Sequence, residues 1–390
     1  MYQNARIENL NAPRLLILDN ELGMGGKEKL LYEFIARNDP RRLHISVCCL
    51  KEGGYYKARL EALGIPFQDR LLTHRYDALA FRPLASFIRA NQIDLVETFT
   101  HPNTVIFSFL ARQQRLVSRV VISHHAIGSD YKKRVLPGFV LPLMRRMDVH
   151  VAVAEIQKRY LADVEGIPEE RIRVIYNGVD TDKYHPASPG ERAVARASLG
   201  VPEGAFVIMA VGSLKPLKGI DVLLRATAPL LRGHDNARLV LVGDGVDRPA
   251  LESLASELGI RAQVVFAGVR GDVDVALRAA DVLALSSHTE ALPTVIIEAM
   301  ATGLPVVATR VGGVPELVEP DRSALLVPAA DAAVLGAALQ RLHSDADLRR
   351  ALGTRGREVA LARFRVETMC AARESLFLEL ASQKTVDRRS

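Results

Sequence analysis

Two glutamates, Glu290 and Glu298, stand seven residues apart in SSHTEALPTVIIEAMATGLPVVATRVGGVPE, residues 286–316, with Pro293 between them. Proline suits the first turn of a helix, so the spacing predicts a helix that begins just after Glu290. Glu290 then lies in the loop at the helix mouth, and Glu298 about a turn and a half inside. The backbone amides of Thr294 and Val295 lack intrahelical acceptors there and face the mouth, where the positive end of the dipole favours an anion such as a diphosphate. A carboxylate beside an anion site is electrostatically costly unless it accepts from hydroxyls, which makes sugar hydroxyls natural partners for both glutamates. In a chain with 45 acidic residues, two glutamates at this spacing also arise by chance. The surrounding pattern has to decide.

Other groups have the residue types for chemistry. The turn ELGMGGKEKLL, Glu21 to Leu31, is glycine-rich and opens a helix, so it offers free amides to an anion. It is neither a dinucleotide fingerprint, since Glu28 occupies the third glycine position, nor a P-loop, since Glu21 stands where the leading glycine is required. Gly243-Asp244-Gly245 also falls short of the fingerprint, which argues against a dehydrogenase. Thr100-His101 and His124-His125 follow apolar runs; a metal site built from His101, His124 and His125 lacks any supporting carboxylate spacing, and no metal is expected.

These residues require a frame that sets strand ends against helix starts. Apolar runs of strand length alternate with stretches of helical period, the pattern of a parallel sheet covered by helices. Strands are predicted at 14–19, 44–50, 94–99, 119–123, 149–154 and 172–176, then at 206–211, 238–242, 264–267, 282–286, 305–309 and 324–327. Between the groups, 177–204 is rich in Pro, Gly, Asp and Ser and reads as a linker with one short helix before Gly200. A chain of 390 residues exceeds one ordinary core. The fold class is therefore α/β, with two Rossmann-like, doubly wound parallel-sheet domains facing a central cleft. The first is expected at 1–180, a hinge at 181–200 and the second at 201–365.

Composition narrows the class further. The chain is 48% hydrophobic and 25% charged, with no window approaching a membrane span and no apolar signal-peptide core in MYQNARIENLNAPR. Of three cysteines, Cys48 and Cys49 are adjacent within a strand, so disulfides are not expected and a reducing cytoplasm is.

The motifs taken together resemble the retaining family 4 glycosyltransferases of the GT-B fold over nearly all of 14–380. The resemblance rests on GGKE at 25–28, IYNGVD at 175–180, VGSLKPLKGIDVLLRA at 211–226, LVLVGDG at 239–245, TEALPTVIIEAMATGLPVVAT at 289–309 and GGVPE at 312–316. It implies transfer of a hexose-type sugar from a nucleotide diphosphate, a UDP- or GDP-sugar, to a glycan or lipid-linked acceptor, as in cell-envelope polysaccharide or glycolipid synthesis. It further implies retention of configuration and no metal or other cofactor. Glu298 would bind the ribose hydroxyls, Glu290 would face the donor sugar, and the amides of Thr294 and Val295 would hold the distal phosphate. Lys218 would neutralise the diphosphate, Gly25 and Gly26 would close over the donor from the other domain, and His125, with His124 as runner-up, would lie at the reaction centre. The last helix, within 366–390, would cross back to the first domain. The family's arginine in the VG turn is replaced here by Ser213, beside the diphosphate, with Lys215 close by. Asp180-x-Asp182 and Asp272-x-Asp274 have the spacing of a metal-binding pair in the other glycosyltransferase fold, and both are read as chance.

The formal net charge of +6 falls wholly within residues 1–180, which fits an anionic partner such as a phosphate-bearing acceptor or an acidic lipid surface. The segment YKKRVLPGFVLPLMRR at 131–146 reads either as a helix packed on its own domain or as an interfacial segment. In the second case Lys132, Lys133, Arg134, Arg145 and Arg146 would rest on head groups while Leu136, Phe139, Val140 and Leu141 dip below. That reading adds peripheral contact with the anionic inner membrane face; nucleic acid is not an expected partner. Two alternatives to transfer remain open at this point, a nucleotide-sugar epimerase of the same fold and a non-catalytic nucleotide-sugar-binding relative.

Overall fold

Unbroken apolar runs such as RLLILD and FVIMAV become strands whose residues are buried on both faces, because helices cover each side of a parallel sheet. The computed structural model describes residues 12–74, 77–127 and 137–387, with side chains as far as residue 383. The chain divides into two units: one runs to Asn177 and resumes at Val366, and the other is Gly178–Arg365.

In the first unit the strands are β1 Arg14–Asp19, β2 His44–Cys49, β3 Phe67–Gln68, β4 Leu95–Phe99, β5 Arg119–Ser123, β6 Val149–Ala152 and β7 Ile172–Val174. They form one sheet in the order β3-β2-β1-β4-β5-β6-β7, every pairing parallel. The second unit holds β8 Phe206–Val211, β9 Ala237–Val242, β10 Val264–Gly268, β11 Val282–Leu285, β12 Val306–Thr309 and β13 Leu325–Val327, in the parallel order β10-β9-β8-β11-β12-β13. In each sheet the order reverses beside its first strand, between β1 and β4 and between β8 and β11. Connections leave in opposite directions there, so a crevice opens at the strands' carboxyl ends. The strands named from the sequence all form, ending within two residues of their expected bounds. The added strand is β3, whose two residues are too few for an apolar run to announce it.

The segment 181–200, expected as a hinge, is instead built into the second unit. Its helix, Pro189–Ser198, starts with a capping box in which Ser188 and Glu191 satisfy each other's backbone amides, and Pro189 fills the first turn. Arg196 Nε donates to the Ala279 carbonyl at 3.2 Å and its Nη2 reaches Asp281 Oδ2 at 2.9 Å, while Arg192 also pairs with Asp281. Asp281 in turn accepts from the Val207 amide at the start of β8, 2.8 Å away. Two arginines thus join this helix to the amino ends of the central strands β8 and β11, a tie that a Pro- and Gly-rich composition does not reveal.

The closing helix, Val366–Asp387, is counted with the first unit. Phe377 packs on Phe34 of helix Gly26–Arg37 with ring centroids 6.1 Å apart, in a core shared with Ile17 and Val121. One turn earlier, Arg373 grips Glu97 of β4 through Nη2, at 2.7 Å from Oε1 and 2.6 Å from Oε2, and lies over the Phe34 ring at 4.8 Å. Ser123 Oγ of β5 donates to the same carboxylate at 2.5 Å. Glu97 has no exposed surface, so this ion pair is the only charge compensation shown for it among the described residues.

Candidate functional site

At the crevice of the second unit, β8 ends in Val211-Gly212, followed by a loop to Gly219 and helix Ile220–Gly233; β11 ends at Leu285 and leads through Ser286–Pro293 into helix Thr294–Ala301. The two loops are stitched together. Ser286 Oγ donates to the Lys218 carbonyl at 2.9 Å and the His288 amide to the Leu217 carbonyl at 2.9 Å. This approach requires glycine at 219: its φ is +57°, and a Cβ there would lie 2.3 Å from the Ser286 carbonyl oxygen. On the other side Gly312, φ +48°, passes so close that a Cβ would fall 1.6 Å from the Glu290 carbonyl oxygen. Ala210, Gly212, Lys218, Ser286 and Ser287 are among the residues lining the resulting pocket.

From its lining, Lys218 Nζ lies 2.6 Å from Glu290 Oε1, and Ser287 Oγ donates to that oxygen at 2.6 Å. Helix Thr294–Ala301 begins one residue later than proline at its first turn requires: Pro293 is the N-cap, in extended conformation. The consequence for the amides of Thr294 and Val295 is unchanged, since the first two helical residues have no intrahelical acceptor. Glu298 is the fifth residue of the helix and is 5% exposed. Ser213 is half-buried, while Lys215 is exposed and makes no ion pair among the described residues. The structure thus brings Lys218 and Glu290 into contact at the mouth of the helix that carries Thr294, Val295 and Glu298. The participation of Ser287 was missed: a serine pair after a strand is too common to single out.

Gly25, Gly26 and His125 belong to the first unit. Gly25 is the N-cap of helix Gly26–Arg37, and the next side chain, Lys27, turns inward to Asp19 at 2.5 Å and over the Phe99 ring at 4.7 Å. His125 packs against the same Phe99 ring, with 5.7 Å between the two ring centroids. Burial, then the Arg373 and Lys27 cations, lower its pKa to about 3, so the ring is neutral at ordinary pH. The runner-up, His124, is 2% exposed and committed to His150, 3.0 Å between ring nitrogens. Of the pair, His125 is the one with surface to offer a ligand.

Other candidates resolve into local structure. Asp180 accepts from the amides of Asp182 and Lys183 within a turn, and Asp272 is paired with Arg270 at the start of a helix. Among the described residues no group of three or more His, Cys, Asp or Glu is placed to hold a metal ion. The interfacial reading of 131–146 needs correction. Val140 and Leu141 are 0% and 3% exposed, buried with Met144 in the core, because the short helix Leu141–Met144 packs on helix Pro102–Gln113. Phe139 is 67% exposed, and Arg145 Nε donates to the Glu165 carbonyl at 2.7 Å. Lys132, Lys133, Arg134 and Leu136 lie outside the described residues.

With this geometry in place, family comparisons are decisive. Residues 24–183 match the model of Glycosyltransferase Family 4, and residues 191–359 that of Glycosyl transferases group 1. The chain belongs to the family 4 glycosyltransferases. Within the family it is 39% identical over 221 residues to the D-inositol 3-phosphate glycosyltransferase of Saccharomonospora viridis, covering 54% of this chain and 51% of that one. The chain spans about half the length of the curated relatives it matches. Its fold is GT-B. Anabaena HepE, crystallised with UDP, superposes with a TM-score of 0.80 at 25% identity, covering 93% of this chain and 99% of HepE. The sucrose-phosphate synthase of Thermosynechococcus elongatus superposes with a TM-score of 0.75 at 22% identity, over 95% and 100% of the two chains.

Proposed function

We propose that this chain transfers a hexose-type sugar from a UDP- or GDP-sugar to a glycan or lipid-linked acceptor, with retention of configuration and without a metal. The observation that carries the reading is the cation–carboxylate–helix-mouth arrangement of Lys218, Glu290 and Thr294–Val295 at the crevice of a family 4 glycosyltransferase. Lys218 and the two amides supply positive charge for a diphosphate, while Glu290 and Glu298 supply acceptors for sugar and ribose hydroxyls. That HepE was crystallised in complex with UDP supports a nucleotide as the ligand. In a front-face transfer the acceptor oxygen bonds to the anomeric carbon as the carbon–phosphate-oxygen bond breaks, and the leaving phosphate takes the acceptor proton. The chain then needs positioning and charge stabilisation rather than a strong base, which suits a neutral His125. Among the described residues no helix is long and apolar enough to cross a membrane; the reading places the work in the cytoplasm, with any membrane contact peripheral.

Glu298→Ala tests the nucleotide site. Loss of charge-assisted bonds to ribose hydroxyls, each about 1.5–3 kcal/mol, should raise the donor Kd at least ~10-fold. Calorimetric titration of the folded variant with UDP- and GDP-sugars measures this, and an unchanged Kd removes Glu298 from the site. Turnover should also persist in excess EDTA. Activity that chelation abolishes and magnesium or manganese restores would show that Lys218 and the helix amides do not replace a cation. Product analysis without acceptor separates transfer from epimerisation, since an epimerase converts the donor alone.

A further inference from the structure

We propose that Lys218 and Glu290 form a latch: each stands in for the other's ligand, and reclosure of the pair expels the nucleoside diphosphate after transfer. The proposal rests on the nucleotide-sugar reading given above.

The two halves of the latch differ in freedom. Glu290 is held from several sides. Its side chain is 10% exposed and accepts from Ser287, whose own carbonyl accepts from Thr309 Oγ1 at 2.7 Å. Its backbone is pressed against Gly312, and the next carbonyl, of Ala291, accepts from the Gly313 amide at 3.0 Å. Lys218 ends a three-residue turn, and its side chain is 30% exposed on a flexible stem. The ammonium is therefore the part that moves, and the carboxylate the part that stays.

Charge makes the consequence directional. As folded, the pair is neutral, and Ser213 adds no charge where an arginine would have done so. A diphosphate gains its cation only by drawing Lys218 away from Glu290. When the nucleotide carries its sugar, hydroxyl donors replace the ammonium at the carboxylate, and little is lost. After transfer the sugar is gone. The nucleoside diphosphate then holds Lys218 at the expense of a largely buried carboxylate left with Ser287 alone, close to phosphate oxygens. Substrate and product are thus bound unequally by the same residues, in the sense that favours release, a step that often limits turnover.

Glu290→Gln keeps the shape and removes the charge that draws Lys218 back. In calorimetric titrations of the full chain with UDP and with GDP, the variant should bind whichever nucleotide the wild type binds about tenfold more tightly. That gain should shrink in a Lys218→Ala background, as a coupled pair demands. Unchanged or weaker binding by a variant with a wild-type melting profile overturns the latch while the nucleotide site stands. A gain that persists undiminished without Lys218 also overturns it, since simple repulsion between carboxylate and phosphate then accounts for the effect. If neither nucleotide binds wild type or variant, the nucleotide-site reading itself falls, and the latch with it.

Discussion

Replacing Lys218 with alanine is expected to lower turnover by about 10²–10³-fold, the range found when one fixed donor to developing negative charge is removed. In the proposed transfer, negative charge would grow on the leaving diphosphate as the anomeric bond breaks, so the ammonium would contribute more in the transition state than in the ground state. Two features of this pocket push the effect toward the upper end. Ser213 leaves no arginine to share the load, and exposed Lys215 starts its side chain at a different point of the loop. Removing Lys218 also strands Glu290, whose carboxylate is 2.6 Å from the ammonium, beside the diphosphate. The loss should appear in kcat at saturating donor, with the melting profile retained. A folded Lys218→Ala enzyme within about tenfold of wild type would mean that another cation takes the diphosphate, with Lys215 the first to test.

The second large effect concerns stability and lies far from that pocket along the chain. Arg373→Ala is expected to destabilise the first unit by about 3–5 kcal/mol, the cost of leaving one member of a buried ion pair alone. Glu97 is fully enclosed in the middle of β4, and Arg373 supplies two contacts of 2.6–2.7 Å to it as well as a face over Phe34. Ser123 can hydrogen-bond the stranded carboxylate but cannot neutralise it. In scanning calorimetry the transition of this unit should fall by about 10 °C, taking ~2–4 °C per kcal/mol for a unit of this size. The double change Glu97→Leu with Arg373→Met removes both charges and should recover most of the loss, since apolar replacement of a buried pair is often neutral. A single-variant loss below about 1 kcal/mol would show that water reaches Glu97 and that the pair is no more than a surface contact.

How much of this was legible beforehand depends on the range of the interaction that decides each feature. Apolar runs named every parallel strand except the two-residue β3, because a strand covered on both faces has no polar side to interrupt it. The turn residues and the Glu290–Glu298 segment marked a helix mouth, since caps, prolines and orphan amides act within a few residues of chain. The family pattern carried Lys218 to the same place. The errors arose where the deciding contact is distant in sequence. Composition made 181–200 a hinge, whereas Arg192 and Arg196 bind it to Asp281, some ninety positions on. Basic and apolar residues left 131–146 open between an interfacial segment and a helix packed on its own domain, and Val140 and Leu141, which fill the first unit's core, favour the second.

From the sequence alone one determines the two α/β sheets, the order of their strands along the chain, and which loop holds each candidate group. Those depend on local periodicity and chain stereochemistry. Only the tertiary structure decides that Lys218 and Glu290 meet, that Ser287 shares the carboxylate, that His124 is spent on His150 while His125 is not, and that Arg373 completes a charge on β4. Ser287 and Glu290 share one loop, but the other pairings join side chains from separate strand–helix units, brought together by how the sheets stack their connections, and no one-dimensional spacing encodes the distance between them.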